Sequence, residues 1–330
     1  MKNPVCEELL IYQATRSEDE NFRSWYIANC VFNSFLTIIA IIFNSVTIQA
    51  LRKTSSLPMP LKTLLLSLAV SDLGVGLLVE PFYIGLLIKW LLRDNSADAT
   101  CTMFHWIMGL FSGASFVGVM TLSVDRFLAI HLHRRYQELV THKRVVVLVI
   151  SIWISSALLS LVSLLVPMTI AYLVLAITGI LCLVTSGLLF LKIYLTVQRH
   201  RNQIHALRAH SQIANAARLR KSAVGTFYIY LVFLKCYLPK FCSFAVMAIS
   251  EFSSGVKVFV ISSITLMLLN SSLNPVIYCW KMRHIRHVIL DTLRNVFPSH
   301  SWIKALNSNE EADYVENDIN VHLAFIMFTV

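Results

Sequence analysis

The chain has 330 residues, of which 56% are hydrophobic and only 14% charged, with a formal net charge of +10. Soluble domains carry about a quarter charged residues, so this composition excludes a water-soluble fold and indicates a helical membrane protein. The basic balance would suit nucleic acid, but the cationic residues cluster in alternate loops, which reports membrane topology and no nucleic-acid partner.

A helical bilayer crossing takes about 20 mainly apolar residues. Runs at 25–51, 61–88, 102–132, 144–166, 170–197, 222–249 and 257–280 meet that requirement. They predict an all-α fold, a seven-transmembrane helix bundle over residues 25–280 with no separate soluble domain. Residues 1–24 form an acidic tail without an apolar signal-like stretch, so the first helix is expected to direct insertion. Pro58 and Pro60 make the first loop tight, because proline excludes a helix interior. Pro167 joins runs four and five through a link too short for a hairpin lid. Residues 198–221 contain no Gly or Pro and are expected to extend helices five and six beyond the membrane. Over 281–297, Met282, Ile285, Ile289 and Leu293 share one face while Arg283, Arg286 and Arg294 occupy others, the pattern of an amphipathic eighth helix lying on the inner membrane lipid. Residues 298–330 form a C-terminal tail with an acidic stretch at 307–318.

Arg52, Lys53, Lys62, Arg134, Arg135, Lys143, Arg144, the six Lys/Arg residues between Arg199 and Lys221, and the eighth-helix arginines all fall on one side. The positive-inside bias makes that side cytoplasmic and the N-terminus extracellular.

Polar groups are rare within the runs and costly there, so each one is a functional candidate. Asn44 and Asp72 interrupt the first and second runs. Asp125-Arg126-Phe127 closes the third, and Asn274-Pro275-Val276-Ile277-Tyr278 closes the seventh. The sixth carries Phe233 and Cys236-Tyr237-Leu238-Pro239, where Pro239 removes a backbone hydrogen bond and kinks the helix. This set resembles the rhodopsin-like (class A) G-protein-coupled receptors. Phe127 stands for the tyrosine of their Asp-Arg-Tyr motif, and Tyr237 for the tryptophan of Cys-Trp-x-Pro.

The resemblance implies roles. Arg126 would be held by Asp125 at rest and meet a G protein when active; Tyr194 and Tyr278 belong to the same switch. Phe233 would pack on Phe116, while Ser186 replaces the usual helix-five proline. Asp72, Ser115, Asn270, Ser271 and Asn274 match the residues that line a sodium pocket; the oxygen-rich set favours Na+ bound at Asp72 over a water-only network. No other cofactor is implied, nor any enzymatic activity. The acidic clamp found at the base of helix six in many relatives is replaced by Ala217-Arg218-Leu219-Arg220-Lys221, so a weakly restrained resting state is expected. Partners would be an extracellular ligand, a heterotrimeric G protein, arrestin and membrane lipid, at the plasma membrane.

Met108 holds the position of the amine receptors' aspartate, and Leu268 that of the opsin lysine, so neither an amine nor retinal is expected. The short second outer loop and the missing helix-five proline are similar to the group containing melanocortin, cannabinoid and lysophospholipid receptors. Lys240 follows the hinge proline and either binds an anionic ligand group or pairs with Glu80 or snorkels. Cys101 matches the top-of-helix-three cysteine, yet the second outer loop has no cysteine; a Cys6–Cys101 bridge and a free Cys101 both remain open. Two other functions compete: a transporter or channel, against which no broken half-helices are seen, and a receptor-like protein that no longer couples, against which the intact Asp125-Arg126 and Asn274-Pro275-x-x-Tyr278 speak.

Overall fold

The structure, a computed structural model, describes residues 20–54, 57–92, 99–132, 135–207, 210–249 and 253–281. Seven long helices make up most of the described residues: Glu20–Lys53, Met59–Leu92, Ala99–Leu132, His142–Ser163, Met168–Leu207, His210–Ile249 and Ser254–Lys281. All seven contain a stretch long and apolar enough to cross a membrane. They are called helices one to seven below. The expected eighth helix, the acidic stretch and Cys6 lie outside the described residues.

Apolar groups point both ways, as a membrane solvent requires. Leu68, Leu87, Phe233 and Ile261 are buried between helices, whereas Ile154, Leu159 and Leu181 on helices four and five are more than half exposed. In water that exterior would be an aggregation liability; in lipid it is matched. Helix five runs along helix six, helix seven packs against helices six and one, and helix three contacts helices two, four and five.

Short loops behave as the sequence suggests. Helix four ends at Ser163 and helix five begins at Met168. Helices five and six continue to Leu207 and from His210, so the described residues of the Gly- and Pro-free stretch are helical. Two features are not visible in the hydropathy. A one-turn helix, Tyr136–Leu139, folds under helix three. Within helix two, Val75–Val79 forms a π-helical turn, closed by the Glu80 N–H bonding to the Val75 carbonyl. Pro81 follows at once and cannot donate a hydrogen bond, which removes one α-helical restraint at the wide turn.

Membrane helices approach closely where small residues face a neighbour. Gly179 on helix five lies flat against the Phe241 ring of helix six, leaving no room for a Cβ, whereas a Cβ at Gly85 meets nothing within 4 Å. Phe241 is confined in turn by Phe116, at 5.1 Å between ring centroids, and by Phe244. Gly179→Val is expected to destabilise the bundle by about 1–3 kcal/mol through overpacking, while Gly85→Ala leaves it unchanged. Thermal unfolding of the two purified variants in detergent would check this; equal melting temperatures would contradict it.

Candidate functional site

Three polar or aromatic assemblies stack through the bundle. The lowest sits at the end of helix three. Arg126 donates from both Nε, at 3.0 Å, and Nη2 to the Asp125 carboxylate, forming an ion pair. The other Asp125 oxygen accepts from the Tyr136 hydroxyl at 2.7 Å. Burial, followed by that hydrogen bond, raises the Tyr136 phenol above its ordinary range, so it stays a donor at physiological pH. Asp125 is 4% exposed and Arg126 is half-buried. A buried carboxylate needs all its lone pairs matched, and Tyr136 supplies the match that a neighbouring arginine alone does not. Nothing in the sequence reading singled out Tyr136, because its reach depends on the loop helix.

The middle assembly surrounds Asp72, which is fully buried. Its two oxygens accept from Ser115 Oγ at 2.8 Å and Asn274 Nδ2 at 2.7 Å, joining helices two, three and seven. Ser271 lies beside the same carboxyl, and its backbone carbonyl accepts from Asn44 Nδ2 at 3.0 Å, which adds helix one. Asn270 is buried next to this set with its Nδ2 unpartnered. Thus Asp72, Ser115, Asn270, Ser271 and Asn274 come together as the resemblance implied, along with Asn44. Oxygen atoms from carboxyl, hydroxyl and amide groups are the donor set that hard monovalent cations take, so the residues present fit Na+.

Above this lies the aromatic stack at the helix-six hinge. Phe116 meets Phe233 at 5.4 Å and Tyr237 at 5.0 Å between centroids, and Phe233 meets Tyr237 at 4.5 Å. The Tyr237 hydroxyl lies beside Ser115 and Asn270. A tryptophan would present no hydroxyl there, so Tyr237 ties the hinge at Pro239 to the Asp72 assembly. Ser186 on helix five contacts the Met120 sulfur of helix three, and helix five passes that point as regular α-helix. Tyr194 and Tyr278 lie on helices five and seven; their side chains fall outside the description.

The outer cleft is lined by Trp90, Phe104, His105, Met108, Tyr172, Lys240, Phe244, Met247, Val260, Ile261 and Ile264. It holds about 30 Å³, room for a few water molecules at most, so a drug-sized ligand has to displace flexible groups such as Met108 and Met247. Lys240 is 3% exposed, with its ammonium 4.3 Å from the centroid of the Phe244 ring. His105 faces it and bonds to Ser163 at 3.0 Å. Lys240 and Met108 therefore share the cleft, whereas Glu80 and Leu268 do not line it. The suggested Glu80–Lys240 pair is not formed: Glu80 points instead towards Thr37 of helix one. Lys235, also on helix six, is exposed on the bundle exterior. Cys101 is buried at the outer end of helix three.

Seven membrane helices with these assemblies at mid-bundle and at the end of helix three define a seven-helix receptor architecture. The profile of the 7 transmembrane receptor (rhodopsin family) matches residues 43–278, and the chain belongs to that family. Its members are receptors and not enzymes. The chain is 25% identical to the octopamine receptor beta-1R of Drosophila melanogaster over 318 residues, covering 82% of this chain and 62% of that receptor. It is 30% identical to the adenosine receptor A2b of Gallus gallus over 131 residues, 40% of this chain and 37% of the relative. Melanocortin receptor 5 of Ovis aries is 25% identical over 265 residues, 76% of this chain and 79% of that protein. The chain thus spans less than two-thirds of the length of the first two.

Removing the Tyr136 hydroxyl leaves one Asp125 oxygen without its donor. Tyr136→Phe is expected to lower stability by about 1 kcal/mol, read as a lower melting temperature than wild type; an unchanged melting temperature would show that the bond is not formed in solution.

Proposed function

We propose that the protein is a plasma-membrane receptor, N-terminus outside, that passes an extracellular ligand signal to a heterotrimeric G protein by outward movement of helix six. The Asp125–Arg126–Tyr136 assembly carries this reading. An arginine at the cytoplasmic helix end is held by groups that can release it without breaking any helix, which makes it a two-state element. Ligand and G protein then favour the same released state, and each strengthens the other's binding. Pro239 provides the hinge, the Phe116–Phe233–Tyr237 stack transmits displacement from the cleft, and Asp72 with Ser115 and Asn274 would hold a Na+ whose charge would favour the resting arrangement. The basic inner loops suit a G protein and anionic lipid.

Ligand-free signalling tests the coupling. With no acidic residue at 217–221 to clamp Arg126, cells expressing the receptor should activate one G-protein subtype above an empty-vector control, and Arg126→Ala should abolish that activity. Surface-expressed receptor that activates no subtype, with or without a broad ligand library, would support a chain that no longer couples.

The cleft supports a ligand with an anionic group and an apolar body. Lys240 is a buried cation without a carboxylate partner among the described residues, and the remaining lining is largely aromatic and aliphatic. Met108 offers nothing to an ammonium. Loss of a buried charge partner costs about 2–5 kcal/mol, so an agonist found by screening anionic amphiphiles should lose at least about tenfold in potency in Lys240→Ala. Undiminished potency in that variant would exclude the anionic contact.

A further inference from the structure

Glu80 is absorbed by neither the cleft nor the Asp72 assembly. It is fully buried, and neither carboxyl oxygen accepts a hydrogen bond. Thr37 lies beside it, but the Thr37 hydroxyl spends its only proton on the Asn33 carbonyl at 2.9 Å. A buried carboxyl with no donor is costly unless it is neutral or meets a cation.

The π turn aims it there. Eight residues of regular α-helix would leave Glu80 about 80° away from the face that carries Asp72. The wide turn at Val75–Val79 absorbs one residue, so the remaining seven amount to two turns, to within about 20°. Glu80 therefore stands on nearly the same face as Asp72, about two turns further out.

Opposite it, helix one presents a polar stripe at Asn29, Asn33, Thr37 and Asn44. Asn33 gives its amide protons to the Asn29 carbonyl, at 2.8 Å, and to Thr265 Oγ1 of helix seven, at 3.1 Å. Thr265 in turn donates to Asn29 Oδ1 at 2.9 Å. These bonds fix the Asn33 amide so that its Oδ1 faces away from every donor. Asn33 Oδ1, both Glu80 oxygens and Asn44 Oδ1 are all buried and unpartnered, and all are acceptors. The Glu80 carboxyl and the Asn33 amide oxygen, one helical turn beyond Thr37, offer the oxygen-only chemistry that a hard cation takes; Asn44 lies seven residues further along helix one than Thr37, at the level of Asp72.

We propose that Glu80, with Thr37 and Asn33, forms a second Na+ site between helices one, two and seven, outward of Asp72 and separate from the ligand cleft. Cation entering along the helix-one stripe would neutralise Glu80 and stand between Asp72 and the outer surface. This site does not require that Asp72 itself bind sodium, and the two are separable by experiment.

Thermal unfolding of full-length purified receptor would be followed while NaCl replaces choline chloride at constant ionic strength. Wild type, Asp72→Asn, Glu80→Gln and the double variant would be compared. The expected result is a sodium-dependent rise in melting temperature that persists in Asp72→Asn, shrinks in Glu80→Gln and vanishes in the double variant. Should Asp72→Asn fail to fold, the Glu80→Gln curve against wild type decides: two sodium phases reduced to one supports the site. Identical curves for those two overturn it, as does a sodium response abolished by Asp72→Asn alone. Retention in Asp72→Asn with complete loss in Glu80→Gln would uphold this site and remove sodium from Asp72.

Discussion

A carboxyl group inside hydrocarbon must be matched by donors or a cation, and Asp72 is where that requirement gathers the bundle. Ser115 and Asn274 satisfy its oxygens from helices three and seven, while Asn44 reaches the Ser271 carbonyl from helix one. Apolar packing alone gives membrane helices little preference for one arrangement, since lipid is as apolar as leucine. Directional hydrogen bonds to one buried acid select the arrangement in which four helices converge. The cost of leaving any of these groups unmatched makes the assembly sensitive to small displacements, which is the property a switch needs.

The same constraint recurs at each level. At the end of helix three, Asp125 is satisfied jointly by Arg126 and Tyr136, so release of the arginine requires a substitute partner. In the outer cleft, Lys240 has an aromatic face but no anion among the described residues. Between these levels the Tyr237 hydroxyl connects the aromatic hinge with Ser115 and Asn270. Polar groups thus recur in the cleft, at mid-bundle and at the end of helix three, with aromatic rings between the first two.

Much of this was legible in the sequence because motif spacing and helical periodicity place residues reliably along regular helices. Asp72, Ser115 and Asn274 converge as expected, and Phe116 meets Phe233. What was not legible depended on departures from regularity. Glu80 was one candidate partner for Lys240, and hydropathy carries no sign of the π turn at Val75–Val79 that turns Glu80 towards helix one instead. Tyr136 was passed over because a tyrosine eleven residues beyond Asp125 carries no periodic signal; the short helix at Tyr136–Leu139 brings it back. Tyr237 read as a departure from a motif, whereas its hydroxyl gives it a place in the Asp72 assembly.

The central claim is that the Arg126 assembly and the Pro239 hinge act as one two-state device. The most direct measurement is the distance between spin labels at position 143, at the start of helix four, and position 221 on helix six, in receptor reconstituted in lipid nanodiscs. Addition of the G protein identified by basal coupling should shift the distance distribution to longer values, and Arg126→Ala should suppress the shift. A distribution unchanged by excess G protein would contradict the account.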